Sequence, residues 1–224
     1  MPRRRQLSLF PFDDRAHAGS ILAGELRPKI EEDAVVIGLA RGGIVVAASV
    51  ARALNLPLEA VAVRKVRHPL QPEYALGAVA PGGPPYLRAR NGLTHEQLVI
   101  AIAAADSEAR ALDHTLHGDR PQLSLAGRTV VLVDDGLATG ATMIAAARWA
   151  RGLRARRIVA AAPVGARETV ELLRREVDDV VCPYAVNDLG AVGLWYADFS
   201  AVNDNEVGEL LQAEEARHLT PSTT

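Results

Sequence analysis

Five short apolar runs punctuate the chain: residues 34–39 (AVVIGL), 58–63 (LEAVAV), 129–133 (TVVLV), 158–164 (IVAAAPV) and 177–182 (VDDVVC). Their hydrophobicity is near-continuous rather than alternating, the pattern of strands covered on both faces. Helical patterns fall before and between them. Residues 13–26 open on an acidic cap, and residues 43–54 carry apolar side chains at helical spacing. Residues 94–117 begin with Thr94 and reach Gln97 three positions on, the spacing of a capping box. Residues 140–153 and 166–176 complete the set. This alternation predicts an α/β fold, a mainly parallel sheet with helices on both faces.

Two stretches fit that rhythm less well. Residues 66–85 are rich in Pro and Gly and predict a long mobile loop, with a hairpin around residues 76–80. A long loop inside a compact domain is uncommon unless it has a task, such as closing over a site. Residues 187–199 gather Trp195, Tyr196 and Phe199 in a chain that is only 4% aromatic. The expected organisation is a tail over 1–12, an α/β core over 13–186, a C-terminal hood and helix over 187–216, and a disordered tail over 217–224.

Composition narrows the function classes. With 49% hydrophobic and 23% charged residues, the 224-residue chain reads as an ordinary globular protein. A net charge of -2 gives no whole-protein pull toward nucleic acid or an anionic membrane. The basic clusters at residues 3–5 and 151–157 read as a tail and a solvated helix end. Cys182 is the only cysteine, so an intrachain disulfide and a thiolate metal site are both excluded. No apolar run reaches membrane-span length and no signal-peptide pattern appears, so a cytoplasmic location is expected.

The candidate chemistry lies in VVLVDDGLATGATM, residues 130–143. Ligands of parallel sheets sit beyond the carboxyl ends of strands, where Asp134 and Asp135 fall. The turn from Gly136 to Thr142 leads into a helix whose free amides and dipole form an anion site. Gly140 permits close approach, and Thr139 and Thr142 add hydroxyl donors. A dianionic phosphate suits that turn. Ionised carboxylates only accept hydrogen bonds, so Asp134 and Asp135 suit the vicinal hydroxyls of a ribose, with a divalent cation easing their repulsion. A helix N-cap with a spare acidic neighbour is the plainer reading. After the first strand, GLARGG (residues 38–43) offers the Arg41 fork and the amides of Gly42 and Gly43 to phosphate oxygens. After the second, VRK places Arg64 and Lys65 at a strand end; they could equally be surface cations. Neither a lysine-bearing P-loop nor a G-x-G-x-x-G pattern is present.

Residues 130–143 closely resemble the phosphoribosyl pyrophosphate (PRPP) signature of type I phosphoribosyltransferases. GLARGG resembles that family's pyrophosphate loop. Together with FDDR..AG..LA near the N-terminus and AVGLWYADF, these motifs resemble a bacterial group classed as phosphoribosyltransferases by sequence. The resemblance implies transfer of the 5-phosphoribosyl group from PRPP to a nitrogenous acceptor, purine-like bases among the candidates, with release of pyrophosphate. Asp134 and Asp135 would hold the 2′ and 3′ hydroxyls and meet Mg²⁺ indirectly, through PRPP or water. Ala138, Thr139, Gly140, Ala141 and Thr142 would cradle the 5′-phosphate, and Ala40–Arg41 would be a cis peptide. Arg41, Arg64, Lys65 and Mg²⁺ would stabilise charge on the leaving pyrophosphate, while the mobile loop excludes water. Family members are commonly homodimers.

One departure bears on the acceptor. Enzymes of this family that use 6-oxopurines carry an Asp where this chain has Ala138, which cannot exchange a proton. The turn is closer to adenine-type enzymes, which draw an acid from the mobile loop; Glu73 would serve, unless it is simply a solvated glutamate. Trp195, Tyr196 or Phe199 would stack on the base and Asp198 would accept from it, unless these residues only pack the chain end down. The alternative to an enzyme is a PRPP- or nucleotide-binding regulator without turnover.

Overall fold

The computed structural model describes residues 10–118, 120 and 123–219. Helix α1 (Arg15–Leu26) leads into strand β1 (Val35–Leu39), helix α2 (Gly42–Leu54) and strand β2 (Leu58–Val61). Strands β3 (Arg64–His68), β4 (Gln71–Val79) and β5 (Tyr86–Leu87) precede helix α3 (His95–His117). Then come β6 (Thr129–Val133), α4 (Ala141–Gly152), β7 (Arg157–Ala161), β8 (Val164–Ala166), α5 (Arg167–Leu173), β9 (Asp179–Val181), β10 (Tyr184–Val186) and α6 (Asp204–Leu219). The Asp14 carboxylate caps α1 by accepting from His17 N–H, and Thr94 with Gln97 forms the expected capping box on α3.

Strands β2, β1, β6, β7 and β9, in that order, form a five-stranded parallel sheet. Val35, Ile37 and Leu39 of β1 pack with Met143, Ile144 and Ala147 of α4 on one face. Val36 packs with Leu22 of α1, Val46 and Val50 of α2, and Leu211 of α6 on the other. Successive side chains of a strand point to opposite faces, so burial on both sides demands the unbroken apolar runs. Residues 158–164 do not form one strand. Pro163 cannot donate to a ladder, and β7 stops before it; β8 then pairs in parallel with β10 in a separate sheet.

The stretch expected as a mobile loop, residues 66–85, is largely sheet. Strands β3, β4 and β5 form an antiparallel flap. Val66, Leu76 and Val79 seat it on Leu98 and Ala105 of α3. Register shifts on both sides of Arg67 interrupt the alternation along β3, which is why its sequence pattern looks irregular. At Gly77 an added Cβ would overlap the Tyr86 carbonyl, so only glycine lets the flap strands close up there. The expected N-terminal tail is also revised, since Phe12 is fully buried and bridges to Tyr196. Helix α6 runs three residues past the expected end of the hood, to Leu219. The rest of both tail expectations, residues 1–9 and 220–224, lies outside the described residues. Among the described residues no helix is long and apolar enough to cross a membrane.

A buried polar link ties α3 to the sheet. His117 Nδ1 faces the Asp113 carbonyl at 2.9 Å and Nε2 faces the Glu59 carboxylate at 3.2 Å. Both ring nitrogens meet acceptors, which the doubly protonated imidazolium satisfies. Burial alone would push this imidazole down, but the Glu59 hydrogen bond and the Asp113 charge outweigh it, and the net direction is up. The native state therefore binds the proton more tightly than the unfolded chain. This contribution is complete below the ordinary histidine value and is lost as pH rises through the native one. The urea midpoint of the wild type should fall accordingly as pH is raised above about 6.5. His117→Gln should remove that component; an identical pH slope in the variant would reject the link.

Candidate active site

Between β1 and β6 the chain reverses the direction in which the sheet is built. The crossover through α2 lies on one face and that through α4 on the other. The crevice beyond the strand ends at such a point is where open α/β sheets bind ligands. Two turns meet there, residues 40–42 after β1 and residues 134–140 after β6.

The second turn is held from behind. Leu137 N–H donates to the Val164 carbonyl, and Ala166 N–H donates to the Leu137 carbonyl. Thr169 Oγ1 of α5 donates to the Ala138 carbonyl at 2.6 Å. Gly140 then takes the left-handed conformation at φ 73°, which L side chains rarely adopt. No side chain caps α4, so its first amides remain open to an anion.

The two acids point to different places. Asp134 Oδ1 accepts from Asp135 N–H at 2.9 Å, and its Oδ2 lies 3.5 Å from Thr142 Oγ1. Burial, and then the neighbouring charge of Asp135, hold the Asp134 carboxyl well above the usual range. Asp135 turns its Oδ2 to Arg15 Nε at 2.9 Å, and its carbonyl accepts from Tyr196 Oη at 2.6 Å. Its carboxyl is also raised, by burial, against the opposing pull of Arg15.

A cavity of about 290 Å³ opens in front of Asp134. The turn from Gly136 to Thr142 forms one wall, including Ala138, Thr139, Gly140 and Ala141; Lys65, Ala75, Gly77 and Arg88 of the flap region form the other. The geometry thus brings Asp134, Lys65 and the turn from Gly136 to Thr142 together. It does not bring the rest. Arg64 precedes Lys65 on β3 and pairs across to Val79, on the face that packs against α3. Glu73 is exposed on β4, away from the cavity lining.

The first turn contains the expected cis peptide at Ala40–Arg41. Arg41, however, sends its fork to α6, with Nε 2.6 Å from Asp204 Oδ1 and Nη2 3.1 Å from Oδ2. Gly42 and Gly43 do more than free backbone amides. A Cβ at Gly42 would overlap Asp135 Oδ2, and one at Gly43 would sit 2.7 Å from the Val133 carbonyl and 2.9 Å from Asp134 Cα. The glycines let the two turns pack directly on each other.

None of the C-terminal aromatics, expected to stack on a base, lines this cavity. Tyr196 is 3% exposed, its ring lying 5.1 Å from that of Phe12 and 5.0 Å from that of Phe199. Trp195 Nε1 donates to the Leu189 carbonyl. Asp198 accepts from Ser200 N–H at 2.9 Å and is exposed. In an aromatic-poor chain these rings satisfy one another. Two residues at the site went unassigned in the sequence reading, Arg15 and Arg88. Arg15 ends the FDDR stretch of the resemblance, but the acid it reaches lies 120 positions away, and Arg88 enters through the flap. Among the described residues no group of three or more His, Cys, Asp or Glu side chains is placed to hold a metal ion.

The family described as "Phosphoribosyl transferase domain" matches residues 15–194, which takes in both turns and the flap. Two Mycobacterium tuberculosis proteins, from strains CDC 1551 and H37Rv and each named "Putative phosphoribosyl transferase", are 37% identical over 203 residues. The match covers 88% of this chain but 45% of theirs, so the chain spans less than half the length of these curated relatives. The crystal structure of TT1426 from Thermus thermophilus is 42% identical, with a TM-score of 0.78, covering 90% of this chain and 98% of that one. A family model that spans residues 15–194, with relatives 37% identical over 88% of this chain, shows that the chain belongs to the phosphoribosyl transferase family.

Proposed function

We propose that the protein transfers the 5-phosphoribosyl group of PRPP to a nitrogenous acceptor and releases pyrophosphate. The observation that carries this reading is the cavity itself. A buried carboxylate, an uncapped helix start and two cations line one space of about 290 Å³. The open amides of α4 with Thr139 and Thr142 suit the 5′-phosphate. Asp134 suits a ribose hydroxyl. Lys65 and Arg88 face the place where charge builds on the leaving group.

In the reaction the C1–oxygen bond to pyrophosphate breaks and the electron pair leaves with it. A C1–nitrogen bond forms, and the acceptor loses a proton. Ala138 cannot take that proton, which favours an adenine-type acceptor over a 6-oxopurine. Glu73 reaches the acceptor only if the flap bends inward. Mg²⁺ carried on the pyrophosphate oxygens would neutralise their charge; Asp134, with one oxygen bonded only weakly to Thr142, fits an indirect contact through water or PRPP. A homodimer in the cytoplasm belongs to the same proposal.

One observation favours the second reading, a regulator that binds without turnover: the Arg41 fork is already filled by Asp204. Incubation with PRPP, Mg²⁺ and a panel of bases separates the two. Base-dependent pyrophosphate release is the expected result. Binding without release selects the regulator, and failure to bind PRPP or any 5′-mononucleotide rejects both.

A further inference from the structure

Helix α3 buries one face and leaves another bare. Leu98, Ala105, Ala109, Leu112 and Leu116 are buried. On the solvent side stand Val99, 49% exposed, and Ile100, 62% exposed, with Ala103 and Ser107 exposed as well. β-Branched residues form helix less readily than the Lys, Glu or Gln that suit a solvated face, so local structure gives no reason for two in succession there. At 3.6 residues per turn, positions 96, 99, 100, 103, 107 and 110 fall on one stripe. A shallow groove of about 370 Å³ runs along its edge, between α3 and Val79, Gly82 and Gly83 of the flap region.

The stripe is self-complementary in charge. Ala103 is its midpoint; Glu96 stands seven residues before it and Arg110 seven after, both exposed. Arg110 donates Nε–H to Asp106 at 2.7 Å, which leaves its two Nη groups for another acceptor.

We propose that this face of α3 is a homodimer interface, on which α3 packs antiparallel against α3 of a second copy across a twofold axis at Ala103. A twofold axis makes every contact occur twice. Glu96 of each copy then faces Arg110 of the other. Val99 and Ile100 of both copies close around the two alanines, whose small side chains let the helices approach. The result is the apolar centre and charged rim of a protein interface. Parallel pairing would instead set Glu96 against Glu96 and Arg110 against Arg110. The interface stands without PRPP, but its consequence for the site rests on the PRPP reading above. Leu98, Ala101 and Ile102 of the same helix seat the flap. The second copy therefore braces the wall that carries Lys65 and Arg88.

Sedimentation of the full chain without ligand tests the interface. The wild type should be a dimer at micromolar concentration. Ile100→Lys should raise the dimer dissociation constant at least about 100-fold, because association would bury a charge without a partner. Glu96 lies one helical turn before it, so the new lysine gains a favourable pair within the monomer, and circular dichroism should show the helices intact. Leu153→Lys, at a residue 44% exposed beyond the end of α4, should remain dimeric. Glu96→Arg and Arg110→Glu should each weaken association, and an equimolar mixture of the two should restore it, since the heterodimer recovers both opposite-charge pairs. A monomeric wild type, which would leave the face to some other partner, overturns the proposal. A dimeric Ile100→Lys does the same, and a mixture that associates no better than its parts rejects the antiparallel register.

Calorimetry with PRPP and Mg²⁺ tests the brace. Ile100→Lys should bind PRPP about 3–10-fold more weakly than the wild type, as expected when the ligand alone must order a mobile wall. Equal affinity would overturn the brace and leave the interface standing. A wild-type dimer that gives no heat with PRPP would overturn the proposed activity, again without touching the interface.

Discussion

Replacing Asp134 by asparagine should weaken PRPP binding about 10–100-fold, the worth of a hydrogen bond to a charged group, and leave the fold at least as stable as before. The two halves of that result have one cause. Asp134 is enclosed beside a second acid, and both burial and that neighbour push its carboxyl up. The native state therefore holds the Asp134 proton more tightly than the unfolded chain does. Ionisation of this group works against folding, and the penalty grows as pH rises above the ordinary carboxyl value. Asparagine carries no such penalty, and its side-chain oxygen can still accept from Asp135 N–H. It cannot bring a negative charge to the ribose. Calorimetry with PRPP and Mg²⁺, paired with urea unfolding at neutral pH, checks both halves. Undiminished PRPP affinity would remove Asp134 from the site, and a large loss of stability would mean that its charge holds the turn together.

Gly43→Ala is expected to act by separating the two turns. The new methyl would meet the Val133 carbonyl at 2.7 Å and Asp134 Cα at 2.9 Å. Both are backbone atoms at the end of a central strand, so neither can swing aside as a long side chain would. Forcing atoms into filled space costs about 1–3 kcal/mol. Relief requires α2 to move away from β6, which shifts Asp134 and the start of the phosphate turn together. PRPP binding should therefore be lost with a measurable drop in Tm. Gly24→Ala makes the control, because an added Cβ there meets nothing within 4 Å. It should be neutral or slightly stabilising by helix propensity. If Gly43→Ala behaves like that control, the packing of the two turns carries no weight.

The parallel sheet and its flanking helices were legible because each strand must be apolar on both faces, as Val35 and Val36 illustrate. The turn from β6 into α4 was legible because small residues follow an apolar strand there, and α4 begins immediately after Gly140, which takes the left-handed conformation at φ 73°. The flap was misread. Its strands contain Pro72, Gly77 and a shifted register around Arg67, which erase the alternation that marks a two-sided strand. Its apolar partners lie on α3, beyond the reach of a local pattern.

The site divides the same way. Local sequence determined which groups stand at the strand ends, since the turn from Asp134 to Thr142 and the Gly42–Gly43 pair are contiguous pieces of chain. The tertiary structure alone decided what each group faces. Arg15 lies 120 positions from Asp135, and Asp204 lies 163 positions from Arg41. A charge seeks its partner through space once burial removes water, and no spacing along the chain records that choice. Tyr196 shows the same principle: its place in an aromatic cluster suggests stacking on a base, but its hydroxyl donates to the Asp135 carbonyl of the turn.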